Sequence, residues 1–558
     1  MQNHKNVLRF SVVTLALLVI LFVFVIRLVL IQVFRSSDLA ILAGKQHDYF
    51  VELEPVRGTI YDRNNRPLAF NVPVYSLFAN PKIMSDDDKH QAVTNLSNLL
   101  DISPDFLNER LSRDKYFVWL ERKLPIDLTE EVKKLKINGL YFQRESKRYY
   151  PNGDLSAHVV GFADIDNKGL EGLELSYNKQ LRGKEGRMQV LRDARQKQLQ
   201  VGQSMIPPQD GFHLVLTIDE TIQYIAEQAL DKAFQKHDAK AATIIVMDVK
   251  TGEILALANR PTYNLDEAAK SNIENRTNRA VSYVYEPGSV FKVITAAAAL
   301  EEELFVEGDK IFCENGKYRI ANHILTDHTS HGTLSFKDVF VFSSNIGVAK
   351  IAQKIGPGIV YKYAKRFRFG LPTGIDLKGE VSGWLKDPSQ WSKTTIGAIP
   401  IGYEVTVTPL QLVAAISSIA NEGVYMRPFV VKYVKDSQGQ VIKSFEPQIV
   451  DRVISANTAN RVKEILKGVV EEGTGKKAQV KGVKVAGKTG TARKVIDGKY
   501  SVGKYYASFM GFAPADNPRL AAVVVVDQPH PSYFGGTVSA PVFQEVMANA
   551  LKYLKVSE

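Results

Sequence analysis

Tyr285-Glu286-Pro287-Gly288-Ser289-Val290-Phe291-Lys292-Val293-Ile294-Thr295, running on through Ala296–Ala299 to Leu300, decides how this chain is read. Pro-Gly breaks the incoming backbone, and the Ala, Leu, Val and Ile residues after it predict a helix with Ser289 in its first turn. Side chains three residues apart share a helix face, so Lys292 lies one turn beyond Ser289. The helix is apolar nearly all round, which places it inside a domain. A buried lysine is costly to keep charged. Desolvation and the positive end of the helix dipole should depress the Lys292 pKa and make a neutral, proton-accepting amine attainable. A serine beside such an amine is an activated nucleophile.

Ser-x-x-Lys alone is a weak signal, since the spacing recurs at Ser112/Lys115, Ser176/Lys179 and Ser501/Lys504, where ordinary polar surface is the expectation. Two further motifs set Ser289 apart by following in fixed order: Ser343-Ser344-Asn345, then Lys488-Thr489-Gly490-Thr491. This ordered trio resembles that of the penicilloyl serine transferases. The middle element reads Ser-Ser-Asn in place of Ser-Asp-Asn. Lys250-Thr251-Gly252 is a decoy, because it lies at a turn and precedes the nucleophile.

At 558 residues the chain should form two or three folded units. Hydrophobic residues at 45% and charged residues at 23% are globular values. The net charge of +11 is dispersed, with no basic arm or stripe, so nucleic acid is not an expected partner. Cys313 is the only cysteine, which excludes an intramolecular disulfide and a cysteine metal cluster.

Met1 to Arg9 reads as a cytoplasmic tail and residues 10–34 as a single transmembrane helix with Arg27 snorkelling. A cleaved signal peptide is the competing reading, but no small-x-small site follows promptly, and Leu42-Ala43-Gly44 precedes Lys45, not a lipidatable cysteine. Residues 50–205 are expected to form a second unit. Within it Arg57 to Ala69 reads as a hairpin, with Arg57, Asp62 and Arg63 as a candidate buried ionic network. Ser85 to Leu100 reads as a capped helix, Arg148–Pro151 and His158–Gly161 as short β segments, and Gly172-Leu173-Glu174 as a helix start. Arg192 to Gln203 is the candidate linker. Residues 212–558 form the third unit. It opens with a strand and a helix capped by Asp219, then a hairpin over Thr243–Leu257. Its late strands lead into Lys488 and span Ser508–Phe512 and Leu520–Asp527, and Pro541 opens a terminal helix over 542–554. Two early and three late strands with helices between and after them predict an α+β fold: a five-stranded antiparallel sheet flanked by helices.

The resemblance extends over residues 10 to 550. The block from Arg57-Gly58 to Leu68-Ala69, Tyr150-Pro151, His158–Gly161 and Gly169-Leu170-Glu171-Gly172 resemble the N-terminal pedestal (dimerisation) motifs of class B penicillin-binding proteins. Thr406-Val407-Thr408-Pro409-Leu410-Gln411, Pro529 and Gly535-Gly536 resemble the catalytic side of that family. Tyr285–Ser289, Ser343–Gly347 and Gly379-Glu380 are most similar to its cell-division branch.

The resemblance implies a peptidoglycan D,D-transpeptidase. Ser289 attacks a stem peptide's D-Ala-D-Ala, D-alanine leaves, and an amine of a neighbouring stem takes the acyl group; β-lactams acylate the same serine. Lys292 is then the base, Ser343 a proton relay, and Asn345 the orienting amide. Lys488, Thr489 and Thr491 bind the substrate carboxylate, and Gly490 gives room. The backbone N–H groups of Ser289 and Thr491 form the oxyanion hole. Ser344 is assigned to packing. The resemblance also implies an inner-membrane anchor with the catalytic domain outside the cytoplasm, a membrane-embedded glycan polymerase and other division proteins as partners, and no cofactor.

His323, Asp327, His328 and His331 are the one metal-like grouping, and a solvated loop is preferred to a zinc site there, with Asp327 given a structural role. The rival functions are a D,D-carboxypeptidase or β-lactamase, which would need a placed deacylating water, and a non-catalytic β-lactam sensor or scaffold.

Overall fold

The computed structural model describes residues 2–36, 48–192 and 198–556. The Leu42–Lys45 stretch weighed as a processing site, and residues 193–197 of the candidate linker, lie outside them. The chain divides into two compact units, one of residues 1–56 with 183–210 and the other of residues 57–182 with 211–558.

In the first unit an α-helix spans Gln2–Val29 and ends in a π-helical turn, Leu30–Phe34. The expected nine-residue tail is therefore helical. No Pro or Gly separates the polar start from the apolar run, so nothing stops the helix at residue 10. The stretch long and apolar enough to cross a membrane is Val7–Phe34, and none of its hydrophobic window is buried in protein. Asp48–Leu53, Gly186–Arg192 and Gln198–Ile206 form a three-stranded antiparallel sheet. Most of the expected linker is thus strand. Its polar composition gave no strand signal, because pairing satisfies the backbone there.

The second unit begins with β1 (Ile60–Tyr61) and β2 (Pro67–Ala79), the predicted hairpin. There follow α1 (Asp86–Leu100), α2 (Pro104–Leu111), β3 (Val118–Leu124), α3 (Ile126–Lys134) and β4 (Leu140–Tyr149). Ser85 caps α1, as expected: its side chain accepts from Asp88 N, and the Asp88 side chain accepts from Ser85 N. His158–Gly161 differs from expectation, since Ala157–Val160 is a helical turn. Its valines suit a strand, but Gly161, at φ +70°, ends the turn against the Glu171 backbone, where a Cβ would lie 2.0 Å from the carbonyl oxygen.

Next come β5 (His213–Leu216), α4 (Glu220–Lys236), β6 (Ala241–Asp248) and β7 (Ile254–Arg260). The Asp219 carboxylate caps α4 by accepting from Thr221 N and Ile222 N. Beyond the nucleophile region lie α5 (Lys292–Glu301), α6 (Asn345–Ile355), α7 (Pro409–Ala420), β8 (Val431–Lys435) and β9 (Val441–Ser444). The chain closes with β10 (Ala486–Ile496), β11 (Lys499–Ala513), β12 (Leu520–Asp527) and α8 (Gly535–Tyr553). The last helix starts six residues before the expected Pro541, which lies inside it. Its first turns are packed, with Gly535, Val538 and Ser539 buried, and that packing offsets the missing N–H.

The predicted five-stranded sheet is present, antiparallel throughout, in the order β7-β6-β12-β11-β10. Alternate residues face opposite layers. Ile244 and Val246 pack with α4 and α8, whereas Ile245 and Met247 pack on the side of α5 and α7. A second sheet runs β9-β8-β5-β1-β2-β3, with β4 also on β2. It joins strands on both sides of the expected boundary near residue 210, through the parallel pair β1–β5.

Arg57, Asp62 and Arg63 do not form the expected network. Arg57 is buried against Glu174, which also takes Arg148 at 2.6 Å, while Arg63 reaches Glu253 and Asp62 holds the turn by accepting from Asn64 N and Arg66 N. The partner carboxylate is 117 residues away, beyond any local pattern. Glu174→Ala would strand two buried guanidinium groups, so we expect a loss of about 3–5 kcal/mol, read as a lower unfolding temperature of the detergent-solubilised protein.

Candidate active site

The nucleophile turn is tighter than an α-helix. Gly288–Phe291 is 3₁₀, and the Lys292 N–H bonds back to Ser289 O before α5 begins. In a 3₁₀ turn side chains i and i+3 eclipse, which puts Ser289 and Lys292 on the same face of the turn. Ser289 is half-exposed at the surface of the groove, whereas Lys292 has 0% exposure, as the apolar helix predicted.

Each cation is held by groups from distant segments. Lys292 Nζ donates to Asn345 Oδ1 at 2.7 Å, to Ser343 O at 2.7 Å and to Ser343 Oγ at 3.2 Å. Lys488, also at 0% exposure, donates to the same Ser343 Oγ at 3.0 Å and to Thr489 O at 3.3 Å. One hydroxyl thus lies between two lysines. Burial pushes the Lys292 amine down to about 7, with Asp327 opposing that shift. Burial, with Lys292 beside it, also holds Lys488 well below the ordinary lysine range. Two ammonium groups that donate to one hydroxyl, at 3.2 and 3.0 Å, repel by roughly 3 kcal/mol at an effective dielectric near 20. Repulsion and burial both favour a neutral amine in the pair.

Ser343 has φ 60°, a left-handed conformation rare outside glycine and typical of positions a site holds under constraint. It is fixed from behind by the start of α6. Ser344 caps that helix by accepting from Gly347 N, which agrees with its assignment to packing. The Asp327 carboxylate takes Ser344 Oγ at 2.6 Å, Asn345 N, and Ile346 N at 3.1 Å. A carboxylate is well placed at a helix N-terminus. Asn345 Nδ2 donates to Thr326 O, which leaves Oδ1 for Lys292.

β10 is a free edge of the five-stranded sheet, and Thr489 and Thr491 lie on its opposite face from Lys488 and Gly490. Lys488 points inward at Ser343. Thr489 Oγ1 shares a hydrogen bond with Thr474 Oγ1 at 2.7 Å, and Thr491 Oγ1 accepts from Gly535 N. The turn carrying Ser289 packs directly on this strand. A Cβ on Gly490 would sit 3.0 Å from Pro287 O, and one on Gly402, at φ +85°, would lie 2.1 Å from Gly288 O. That close approach brings the backbone of Ser289 beside Thr491, as an oxyanion site requires.

All eight residues chosen from the sequence are therefore built into one groove: Ser289, Lys292, Ser343, Asn345, Lys488, Thr489, Gly490 and Thr491. The sequence reading missed Thr474, whose Gly473-Thr474-Gly475 setting is an ordinary turn pattern, and Glu286, whose Oε1 accepts from Glu404 N. Among the described residues no three His, Cys, Asp or Glu side chains are placed to hold a metal. His328 packs on Phe534 and His331 on Phe342.

The family model of the penicillin binding protein transpeptidase domain matches residues 242–548, and that of the penicillin-binding protein dimerisation domain matches residues 52–216. A probable peptidoglycan D,D-transpeptidase, PenA, of Neisseria gonorrhoeae is 36% identical over 90% of this chain and 86% of its own. Peptidoglycan D,D-transpeptidase FtsI of Escherichia coli is 34% identical over 100% and 94%, and stage V sporulation protein D of Bacillus subtilis 35% over 95% and 83%. Penicillin binding protein 3 of Mycobacterium tuberculosis, solved with aztreonam, superposes with a TM-score of 0.71 at 29% identity, covering 91% of this chain and 98% of that one.

A helix-flanked antiparallel sheet with a Ser-x-x-Lys turn against its edge defines a serine acyltransferase of the penicilloyl type. The chain belongs to the class B penicillin-binding proteins, and it is a serine D,D-transpeptidase.

A Lys292 amine that titrates near 7 and acts as the proton acceptor predicts that acylation by a β-lactam is slow below pH 6, rises through about pH 7 and levels off above it; stopped-flow rates across pH 5.5–8.5 check this. Asp327 raises the Lys292 pKa, so Asp327→Asn should shift that limb to lower pH while also reducing its plateau. A shift to higher pH would contradict the electrostatics.

Proposed function

We propose that the groove crosslinks peptidoglycan stems during septal wall synthesis, with each residue in the following role. Ser289 Oγ attacks the carbonyl of the penultimate D-alanine and gives its proton to Lys292. The oxyanion rests on the N–H groups of Ser289 and Thr491. The C–N bond breaks, and Ser343 passes a proton to the leaving amine of D-alanine. A neighbouring stem's amine then attacks the acyl-enzyme, loses its proton by the reverse route and regenerates the Ser289 alcohol. Thr489 and Thr491 hold the terminal carboxylate on the outer face of β10. Lys488 adds positive potential from beneath the strand, and Asn345 orients Lys292 and the substrate amide.

The observation that carries this reading is the single Ser343 hydroxyl receiving both buried lysines, directly below the nucleophile turn. It provides a proton path linking base and leaving group without an external cofactor. The similarity to FtsI supports a septal role. We assign residues 10–34 to a membrane anchor with residues 1–9 cytoplasmic, 50–205 to the pedestal and 212–558 to the transpeptidase domain in the extracytoplasmic space. A membrane-embedded glycan polymerase and other division proteins fit as partners of the anchor and pedestal.

A fluorescent penicillin should label the protein covalently, and Ser289→Ala should abolish the label. With a D-Ala-D-Ala donor, adding an acceptor amine should divert product from hydrolysis to transfer. D-alanine release indifferent to acceptor would favour the carboxypeptidase alternative.

A further inference from the structure

Glu220, Tyr224, Glu227 and Asp231 stand at i, i+4, i+7 and i+11 of α4, so they form one stripe along the helix. The apolar packing of α4 is carried by other positions, among them Ile222, Ala226 and Leu230. The stripe instead walls a cavity of about 450 Å³, which the 152–155 turn, Arg66 and Arg260 enclose from other sides. Small-molecule sites run to roughly 300–1,000 Å³, so this volume is that of a ligand site. It lies on the side of the sheet that carries α4, away from Lys292 and α5. The turn is pinned to the helix: Asn152 Nδ2 donates to Glu220 Oε1 at 2.8 Å, and Ser156 N to Glu227 Oε1 at 2.9 Å.

The charges in the wall do not balance. Four carboxylates, Asp154, Glu220, Glu227 and Asp231, meet two guanidinium groups, Arg66 and Arg260, which leaves an excess of two negative charges. Arg260 is committed to the buried Glu227 at 3.2 Å and to both oxygens of Asp231. Arg66, 52% exposed, reaches Glu220 only at 3.4 Å, a long contact for an ion pair. Asp154 has no hydrogen-bond or ion-pair partner for its carboxylate among the described residues. Its charge is felt across the cavity, since burial raises the Glu227 pKa and Asp154 adds to the rise. Beside Glu227, the hydroxyl of the buried Ser156 also lacks a partner. The Tyr224 ring is 57% exposed at the wall, where a cation can lie against its face. Because the whole chain carries +11, its bulk charge repels cations, and attraction to this wall is local. Among the described residues no three His, Cys, Asp or Glu side chains are placed to hold a metal, so the complement is an organic cation with several donors.

We propose that this cavity binds a small aliphatic diamine or polyamine, with one ammonium paired to Asp154 and the chain lying along Tyr224. An ammonium supplies three donors, and a dication cancels the excess of two negative charges. Bound there, it ties the 152–155 turn to α4 and stabilises the folded chain by mass action.

Calorimetric titration of the detergent-solubilised full chain with 1,4-diaminobutane tests this. One saturable site per chain is expected, with no response to 1,4-butanediol, which has the same carbon chain and no charge, and no displacement by magnesium chloride at matched ionic strength. Asp154→Asn, at an exposed position, should weaken the site roughly fivefold. Arg66→Ala should tighten it severalfold, because Glu220 loses the cation that competes for it. Damage to the fold does not mimic tightening, and the unfolding temperature of each variant without diamine checks that it is folded. Absence of saturable binding to wild type would overturn the proposal, as would an affinity unmoved by Asp154→Asn. Displacement by magnesium would overturn it too, because it reduces the site to general attraction for cations.

Discussion

Two lysine side chains with no solvent exposure converge on one serine hydroxyl. Desolvation lowers both, and the neighbouring Lys292 lowers Lys488 further. The same burial that brings Lys292 down to about 7 is a standing cost to the fold. It is offset by the apolar helices α5 and α7 and by the sheet they cover, whose strands β6 and β12 are buried along their whole length. Catalytic power and core packing are thus one arrangement: a looser core would hydrate Lys292 and return it to an ammonium.

The groove is held open and narrow by backbone approaches that side chains would prevent. The nucleophile turn touches β10 at Gly490 and the 402–404 segment at Gly402, so the Ser289 N–H is placed by main-chain contacts and not by a flexible loop. Behind the opposite wall, Asp327 holds the first turn of α6 and through it the strained Ser343 and the amide of Asn345. Preorganisation here comes from rigid elements on three sides. Glu286 stands apart from that economy, with Oε1 hydrogen-bonded and Oε2 buried without a partner.

Much of this was legible in the residues. The amphipathic pattern after Asp219, the Thr243–Leu257 hairpin, the Ser85 cap and the five-strand count were all recoverable, because each depends on local periodicity or capping chemistry. Motif order also singled out Lys292, Ser343, Asn345 and Lys488, which the fold brings within hydrogen-bonding distance of one another. The failures share a cause. The strand Gln198–Ile206, the helical turn Ala157–Val160 and the early start of α8 at Gly535 go against local propensity, and in each case long-range pairing or packing won. Arg57 was recognised as a buried ionic residue, but its partner was misassigned to neighbours when it lies on a different segment, at Glu174.

The sequence by itself determined the Ser-x-x-Lys turn, the order of the three motifs and the apolar helix at the N-terminus, since these depend on residue type and short spacing. Only the tertiary structure decided that Ser343 receives both lysines, that Lys488 lies on one face of β10 while Thr489 and Thr491 lie on the other, and that Oε2 of Glu286 is buried without a partner. Those facts depend on which distant segments the fold brings within hydrogen-bonding range, and on how much water it removes from between them.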